Sequence, residues 1–572
     1  MKKNNEELKR LTVQAIPLIT SVAQRIGLKT IISKYIPSYG NEKIPVADTL
    51  MLLVSNITIG RQPLYELEQW TQRIAPHCFH LKPGQLLHLN DDRFARALDK
   101  LYFSDRASLI TEIVLKMIKV VDLDIDRVHN DSTTVKAYGK IPGKTRTGLE
   151  LLRGNSKDHR PDLKQLVFSL TISSDGAVPI HYKTYPGNRT DDTTHIETWD
   201  TICRITSRPD FIYVADCKVC TSTQLDYIAG KGGRVITIMP ETWKESNIFK
   251  EQLRSNSKRS KKHRKKVIWR REVPEQSDKY DSFSLFLGDF KAGEAGYRVF
   301  WYHSSEKEKK DALIREQKLQ KAENQLLQLI PKLNKKKLKS KEAIESQVES
   351  ILKKYKVKRF LKITLSEKTT EFRVQMTRGR PGPNTKYKTC IQTLYLLSWE
   401  RDQRALKQEK NVDGIFPLLT TDESRDSRDS RDSRALSAKS VLLSYKYQPR
   451  LEKRFTQFKS VHEAAPLLFK KIGRVEAIMF LFFLSLMIQA IIEREVRLKM
   501  KKEGIKTLPI YPESRDAFHP TTSKILDTFD GISSYQVTIE GKTREFRDSL
   551  TQTQKTILRL LNIDIDDFWG KK

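Results

Sequence analysis

Lys164-Gln-Leu-Val-Phe-Ser-Leu-Thr-Ile-Ser173, Ser174-Asp-Gly176 and Ala177-Val-Pro-Ile-His-Tyr-Lys-Thr-Tyr185 together decide the architecture. The first ten residues alternate and carry the β-favouring Val167, Phe168 and Ile172, so they read as a strand. Ser174-Asp-Gly176 is a hairpin turn, because glycine accepts the backbone that such turns require, and Ala177 to Tyr185 is the returning strand. Upstream, Arg127-Val-His-Asn-Asp131 is a short strand ending in polar residues. Downstream, helix and strand alternate: a helix near Thr194 to Ile205, the strand Phe211-Ile-Tyr-Val-Ala215, a helix near Ser222 to Ala229 and a strand from Arg234 to Met239. A meander followed by such alternation predicts an α/β domain with a mixed sheet flanked by helices.

Working outward, residues 1–122 show helical periodicity, as from Ala47 to Ile59 and from Asp92 to Leu101, where Phe94, Leu98 and Leu101 share one face. Pro45 and Lys82-Pro-Gly84 punctuate this segment. Residues 123–240 hold the first part of the α/β domain, and 241–436 form an insertion of different composition. Lys258 to Arg271 carries nine basic residues and no acid, strands follow at Ser282 to Leu287 and Tyr297 to Tyr302, and two helices, Glu306 to Ile330 and Lys341 to Leu352, turn around Pro331. Ile344, Val348 and Ile351 form a stripe on the second helix. The Ser-Arg-Asp run from Ser424 to Arg434 reads as a solvated linker. Helical signal resumes from Leu451 to Lys499, so 437–503 complete the α/β domain, and 504–572 read as a mixed tail without an assigned role.

A chain of 572 residues exceeds what one core serves, so several domains are expected. The formal charge of +34 would self-repel unless a polyanion answered it, which points to nucleic acid. Cys78, Cys203, Cys217, Cys220 and Cys390 are too few for a disulfide framework and suit a reducing compartment. Ala477 to Ile492 is apolar but interrupted by Gln489 and shorter than the roughly 20 residues of a bilayer span, so it reads as a buried helix. With no secretory signal at the start, a cytoplasmic protein without membrane attachment is expected.

Three acids are candidates because each ends or adorns an element of the α/β domain. Asp131 follows the strand Val128-His-Asn, Asp216 ends Ile212-Tyr-Val-Ala, and carboxylates at neighbouring strand ends meet across a crevice. Glu452 lies on a helix whose apolar side is Leu451, Phe455 and Phe458, with Pro449 suited to its first position and Gln448 before it. An Asp-Asp-Glu set supplies the hard oxygen ligands that two divalent ions share, whereas each acid alone is an ordinary turn cap or solvated helix residue.

The combination resembles the DDE-type insertion-sequence transposases. It is carried by Asp131-Ser-Thr, Val214-Ala-Asp216 and the spacing Tyr445-x2-Gln448-x3-Glu452-x6-Lys459, against the family's Tyr-x2-Arg-x3-Glu-x6-Lys. Leu89-Asn-Asp-Asp-Arg93, Leu98-Asp-Lys-Leu101, Ser156-Lys-Asp-His-Arg-Pro-Asp-Leu-Lys-Gln165, Pro186-Gly-Asn188 and Ile491-Ile-Glu-Arg-Glu495 resemble one branch of it, the branch with a long insertion before the third acid. The resemblance implies an RNase H-like core interrupted between its last strand and the helix of the third acid. It implies cut-and-paste transposition, with Asp131, Asp216 and Glu452 as metal ligands for two Mg2+ ions that Mn2+ can replace. Tyr445 and Lys459 match positions that contact DNA phosphates. Gln448 stands where the family has arginine, and Arg450 two residues on is a candidate to supply the missing charge. Double-stranded DNA, as the element's terminal inverted repeats and target, is the expected partner, with a homodimer in the active complex, a DNA-binding or assembly role for 1–122, and a prokaryotic, nucleoid-associated setting.

Other features have rival readings. Lys258, Arg259, Lys261, Lys262, Arg264, Lys265 and Lys266, with Trp269 as a stacking surface, are expected to contact DNA, although such a run is also what a solvated loop looks like. His159 has a structural or DNA-contacting role ahead of a catalytic one, because a metal already lowers the pKa of water. Cys217-x2-Cys220 is half a zinc site without a second half, and His77-Cys-Phe-His80 is equally thin evidence for a metal. A nuclease that does not join strands, and a DNA-binding protein whose site has decayed at Gln448, are the competing functions.

Overall fold

The structure, a computed structural model, describes residues 7–40, 42–139, 141–157, 160–190, 193–255, 264–273, 276–335, 337–376, 378–422, 436–462, 464, 469–539 and 542–570. They belong to two compact units, 1–237 with 420–422 and 440–572, and 238–419 with 423–439.

The first unit contains β1 (Glu7–Thr12), β2 (Arg127–Ala137), β3 (Lys164–Ser173), β4 (Pro179–Pro186), β5 (Ile212–Val214) and β6 (Arg234–Ile238). The last five lie in the order β4-β3-β2-β5-β6. β2, β3 and β4 are antiparallel, and β5 and β6 run parallel to β2. Helices His195–Thr206 and Ser222–Gly230 make the crossovers, giving a mixed α/β sheet flanked by helices. One expectation needs correcting: β2 does not end at Asp131 but runs on to Ala137. β3 offers it a partner at every step to Ala137↔Lys164, and Thr133, Thr134 and Val135 are buried, β-favouring residues.

The centre of this unit is a single helix, Ile472–Lys502. It is long and apolar enough to cross a membrane, but its most apolar 18-residue window, of mean hydropathy 2.3, is wholly buried inside the protein. A helix apolar on all sides needs partners on all sides. They come from both ends of the chain: helices Ile16–Arg25, Val46–Ser55 and Asp91–Phe103, strand β4, and helices Thr522–Asp527 and Gln552–Leu560. Its polar residues are answered locally. Arg474 makes two bonds to Asp99 (2.8 and 2.7 Å), Glu476 meets Arg106 and Thr147, and Arg494 donates to the carbonyls of Val121 and Asp122. The segment 504–572 is part of this unit too, because strand Ser533–Ile539 pairs with β1 from Glu7↔Thr538 to Thr12↔Ser533. The segments 1–122, 123–237, 440–503 and 504–572 thus fold as one body.

The second unit holds β7 (Arg264–Val273), β8 (Gln276–Phe286), β9 (Phe290–Ala292), β10 (Tyr297–Ser304), β11 (Leu361–Gln375), β12 (Tyr387–Arg401) and β13 (Ile415–Thr420). One sheet runs β13-β10-β8-β7, with β9 paired to β10. Helices Ser305–Leu329 and Lys341–Tyr355 close on a core that includes Leu319, Leu326, Ile344, Val348 and Ile351. The expected stripe is therefore its inner face. β11 and β12, which periodicity did not reveal, pair over fifteen residues each, from Leu361↔Arg401 to Gln375↔Tyr387.

Candidate active site

β2 and β5 pair in parallel through Arg127↔Ile212, Val128↔Tyr213 and His129↔Val214. Residues two apart on a strand share a face. Asp131, two beyond His129, and Asp216, two beyond Val214 and still in extended backbone, therefore emerge level with each other as that pairing ends. The neighbourhood is electrostatically tense. Burial pushes the Asp131 carboxyl up to about 6, the Asp216 charge adds to the rise, and Lys157 and the Ser132 amide offset part of it. The Lys157 ammonium stands 3.3 Å from Asp131 Oδ1 and also donates to the Ser132 carbonyl at 2.5 Å. Asp216 accepts from the Lys218 amide at 3.0 Å, with buried His195 4.0 Å away.

Helix Pro449–Thr456 supplies the third acid, beginning at Pro449 with Gln448 before it, as its sequence requires. It packs on β2 and β3. Leu451, Arg454 and Phe455 are buried and Glu452 faces out. Arg454 fixes the helix by donating to the carbonyls of Ala177 (3.1 Å) and Gly176 (3.0 Å) at the β3–β4 turn. Gly176 has φ +78°, and a Cβ there would meet the Arg494 side chain at 2.8 Å, so this turn needs glycine twice over. Phe458, one turn on, stacks on Phe168 of β3 at 4.5 Å.

Tyr445, at the end of helix Ala438–Tyr445, feels all three acids. Burial, then the charges of Asp216, Cys217, Glu452 and Asp131, push its phenol up to about 12. Asp216 and Glu452 are more than 200 residues apart in sequence, yet all three acids belong to the same compact unit. Among the described residues no three His, Cys, Asp or Glu side chains are set to hold a metal ion as they stand. The donor set still suits a hard divalent cation: the oxygens are carboxylates, Asp131 carries a poorly compensated charge, and an ammonium already stands beside it.

Gln448 is used otherwise than expected. Its Oε1 accepts from His129 Nδ1 at 3.2 Å and its Nε2 donates to the Asn130 carbonyl at 3.1 Å, so the amide ties the Glu452 helix to β2. Burial lowers the His129 pKa to about 4, which keeps the ring neutral in that bond. Arg450 is exposed in the helix's first turn, and Lys459 is half-buried in the turn Gln457–Val461. Lys258, Arg259, Lys261 and Lys262 lie outside the described residues, as do His159 and Ser424 to Arg434. From Arg264 the basic run is strand β7, at the edge of its sheet, and Arg264, Lys265, Lys266 and Trp269 are positions along it.

Sequence reasoning did not find Lys157 as the Asp131 partner, although it lies within Ser156 to Gln165. The same stretch shows its structural side at Gln165, whose Nε2 donates to the Gly187 carbonyl at 2.9 Å. A Cβ at Gly187 would come within 2.1 Å of the Gln165 carbonyl, which accounts for the glycine of Pro186-Gly-Asn188.

Residues 8–115 match a domain of unknown function, DUF4277. No curated protein matches the chain. Among solved structures it is similar to piggyBac transposase in a cryo-EM synaptic complex with hairpin DNA, at 7% identity and a TM-score of 0.33, covering 91% of this chain and 81% of that one.

Proposed function

We propose that this protein is a DDE-type DNA transposase with an RNase H-like core, which cuts the ends of an insertion sequence and joins them to target DNA. The observation that carries the reading is the placement of Asp131 and Asp216 at the same level of two parallel strands, with Glu452 on a helix fastened to the Asp131 strand. The order of the parts agrees with it: β2 to β6 come first, 238–419 belong to a separate unit, and the chain then returns with the Glu452 helix.

Asp131, Asp216 and Glu452 would hold two Mg2+ ions, which when bound supply Lewis acidity at a phosphodiester and stabilise the departing 3′ oxygen. The chain's own groups do the rest. Asp131 must give up its proton to serve as a ligand, and Lys157 holds its charge in place beforehand. Arg450, exposed in the first turn of its helix, offers a cation to a phosphate where the helix dipole is positive. Gln448 fixes that helix on β2 and leaves phosphate recognition to Arg450 and Tyr445. Water attacks the phosphodiester first; the freed 3′-OH then attacks target DNA, one phosphodiester being exchanged for another, so no external energy source is needed.

The test uses the purified chain, a duplex carrying the element's end and a target plasmid. Mg2+-dependent cleavage with joined product supports the reading. Cleavage without joining leaves a nuclease, and binding without either leaves a DNA-binding protein.

A further inference from the structure

We infer that the β11–β12 hairpin is a DNA-gripping arm whose tip, Arg378-Gly-Arg-Pro381, enters the minor groove of A·T-rich duplex DNA. The inference rests on the reading of the chain as a DNA-handling protein, and on the following features of the second unit.

The base of the hairpin is rigid. Leu361 and Leu397 belong to the core of that unit, Asn334 brackets the Tyr395 backbone with bonds of 3.0 and 2.8 Å, and Arg401 is clasped by Glu316 and Glu323. Beyond this anchor the hairpin stands in solvent. Strands of fifteen residues span about 50 Å at ~3.3 Å per residue, and from Glu371 to Ile391 every described residue is exposed or only partly covered. An isolated two-stranded ribbon is marginal in water. Phe372, Met376, Tyr387 and Ile391, 45–67% exposed, are left for a partner to cover.

Charge decides what that partner is. Residues 372–390 contain Arg373, Arg378, Arg380, Lys386 and Lys388 and no acid. Among the described residues none of the five has an ion-pair partner, although the anchored base is rich in ion pairs. A second copy of this strongly basic chain, or another basic protein, would be repelled; a polyanion would not.

The shape of the tip suits a narrow groove. Gly379, at φ +131°, and Gly382 have no atom within 4 Å of where a Cβ would stand, so the backbone between the arginines and the prolines is slender. The loop is closed by Met376 N donating to the Lys386 carbonyl (3.0 Å) and Gln375 Nε2 to the Gly379 carbonyl (3.0 Å), and both arginines are exposed. The minor groove is only about 6 Å wide, and in A·T tracts it narrows further and concentrates negative potential that draws arginine in. In G·C pairs the guanine amino group adds a donor to the groove floor, which a guanidinium cannot accept from.

The experiment measures binding of the full chain, without divalent metal, to 20-bp duplexes with a central A·T or G·C tract, by fluorescence anisotropy across salt concentrations. Wild type should prefer the A·T duplex. The double substitution Arg378→Ala with Arg380→Ala should weaken A·T binding by about 10- to 100-fold and lower the log-log salt slope by about two, at ~0.9 per lost contact, so that the preference disappears. Netropsin, a small minor-groove binder, should compete with wild type only. Equal loss on both duplexes would make the tip a mere phosphate contact and overturn the minor-groove assignment. Unchanged DNA binding with altered self-association in sedimentation would assign the hairpin to protein contact. Wild type that binds neither duplex would fail the broader DNA reading as well, whereas cleavage lost with A·T preference intact would fail only the catalytic one.

Discussion

On β2 the Asp131 carboxyl sits among buried side chains with the Lys157 ammonium 3.3 Å away, whereas on the β11–β12 arm five cations in nineteen residues stand in solvent with no acid among them. In a low-dielectric site a misplaced charge is costly, so geometry is exact there and a single substitution has large effects that salt barely screens. In solvent each charge contributes little, is screened within about 10 Å at 0.1 M salt, and gains weight only by number. One chain therefore uses charge in two ways, and variants should separate them.

The largest effect is expected at Asp131. Asp131→Asn should reduce cleavage by at least about a thousandfold while leaving duplex binding intact, because the arm and the other cations are untouched. The same variant should be more stable. With its folded pKa raised from 3.8 to about 6, the carboxyl binds its proton more tightly folded than unfolded; stability is therefore lost as pH rises from about 4 to 6 and stays lost at 7. Removing the charge should recover about 1–3 kcal/mol at pH 7, less whatever the Lys157 contact contributes, seen as a higher Tm. Arg454→Ala comes next. It strips two carbonyls of their donor and leaves buried Glu493, 3.6 Å away, with less compensation, so thermal melting should show a loss of about 3–5 kcal/mol. A pH titration sharpens the contrast further. Mg2+ affinity should fall about tenfold for each unit below pH 6 as Asp131 protonates, while binding of the arm to DNA stays level over the same range. The smallest effect is expected for Gln448→Ala, about 1 kcal/mol for two neutral hydrogen bonds, read as partial loss of cleavage from a loosened Glu452 helix.

Periodicity carried the strands β3, β4 and β6 and the helices around them, since each is a regular stripe with punctuated ends. It stopped β2 too early because Ser132-Thr-Thr134 is polar, and only the presence of β3 alongside makes those residues strand. It could not join residues 504–572 to β1, since that pairing spans the chain and neither strand has a strong pattern of its own. β11 and β12 were hidden for a different reason: only their base, around Leu361 and Leu397, has a core to face, and beyond it apolar residues such as Phe372 and Ile391 stand in solvent as no half-buried strand would place them. At the candidate site, spacing and resemblance nominate the three acids, whereas Lys157 beside Asp131 and the Gln448 tether to His129 depend on the meeting of distant segments, which no local pattern encodes.

The central claim, that Asp131, Asp216 and Glu452 meet at a shared cation site, is tested most directly by replacing Mg2+ with Fe2+ and generating hydroxyl radicals in place with ascorbate and peroxide. Radicals formed at a bound iron cut the nearest backbone, so the account predicts chain breaks beside all three residues, suppressed by excess Mg2+ and absent in Asp131→Asn with Asp216→Asn. Breaks confined to one segment, or an unchanged pattern in the double variant, would contradict it.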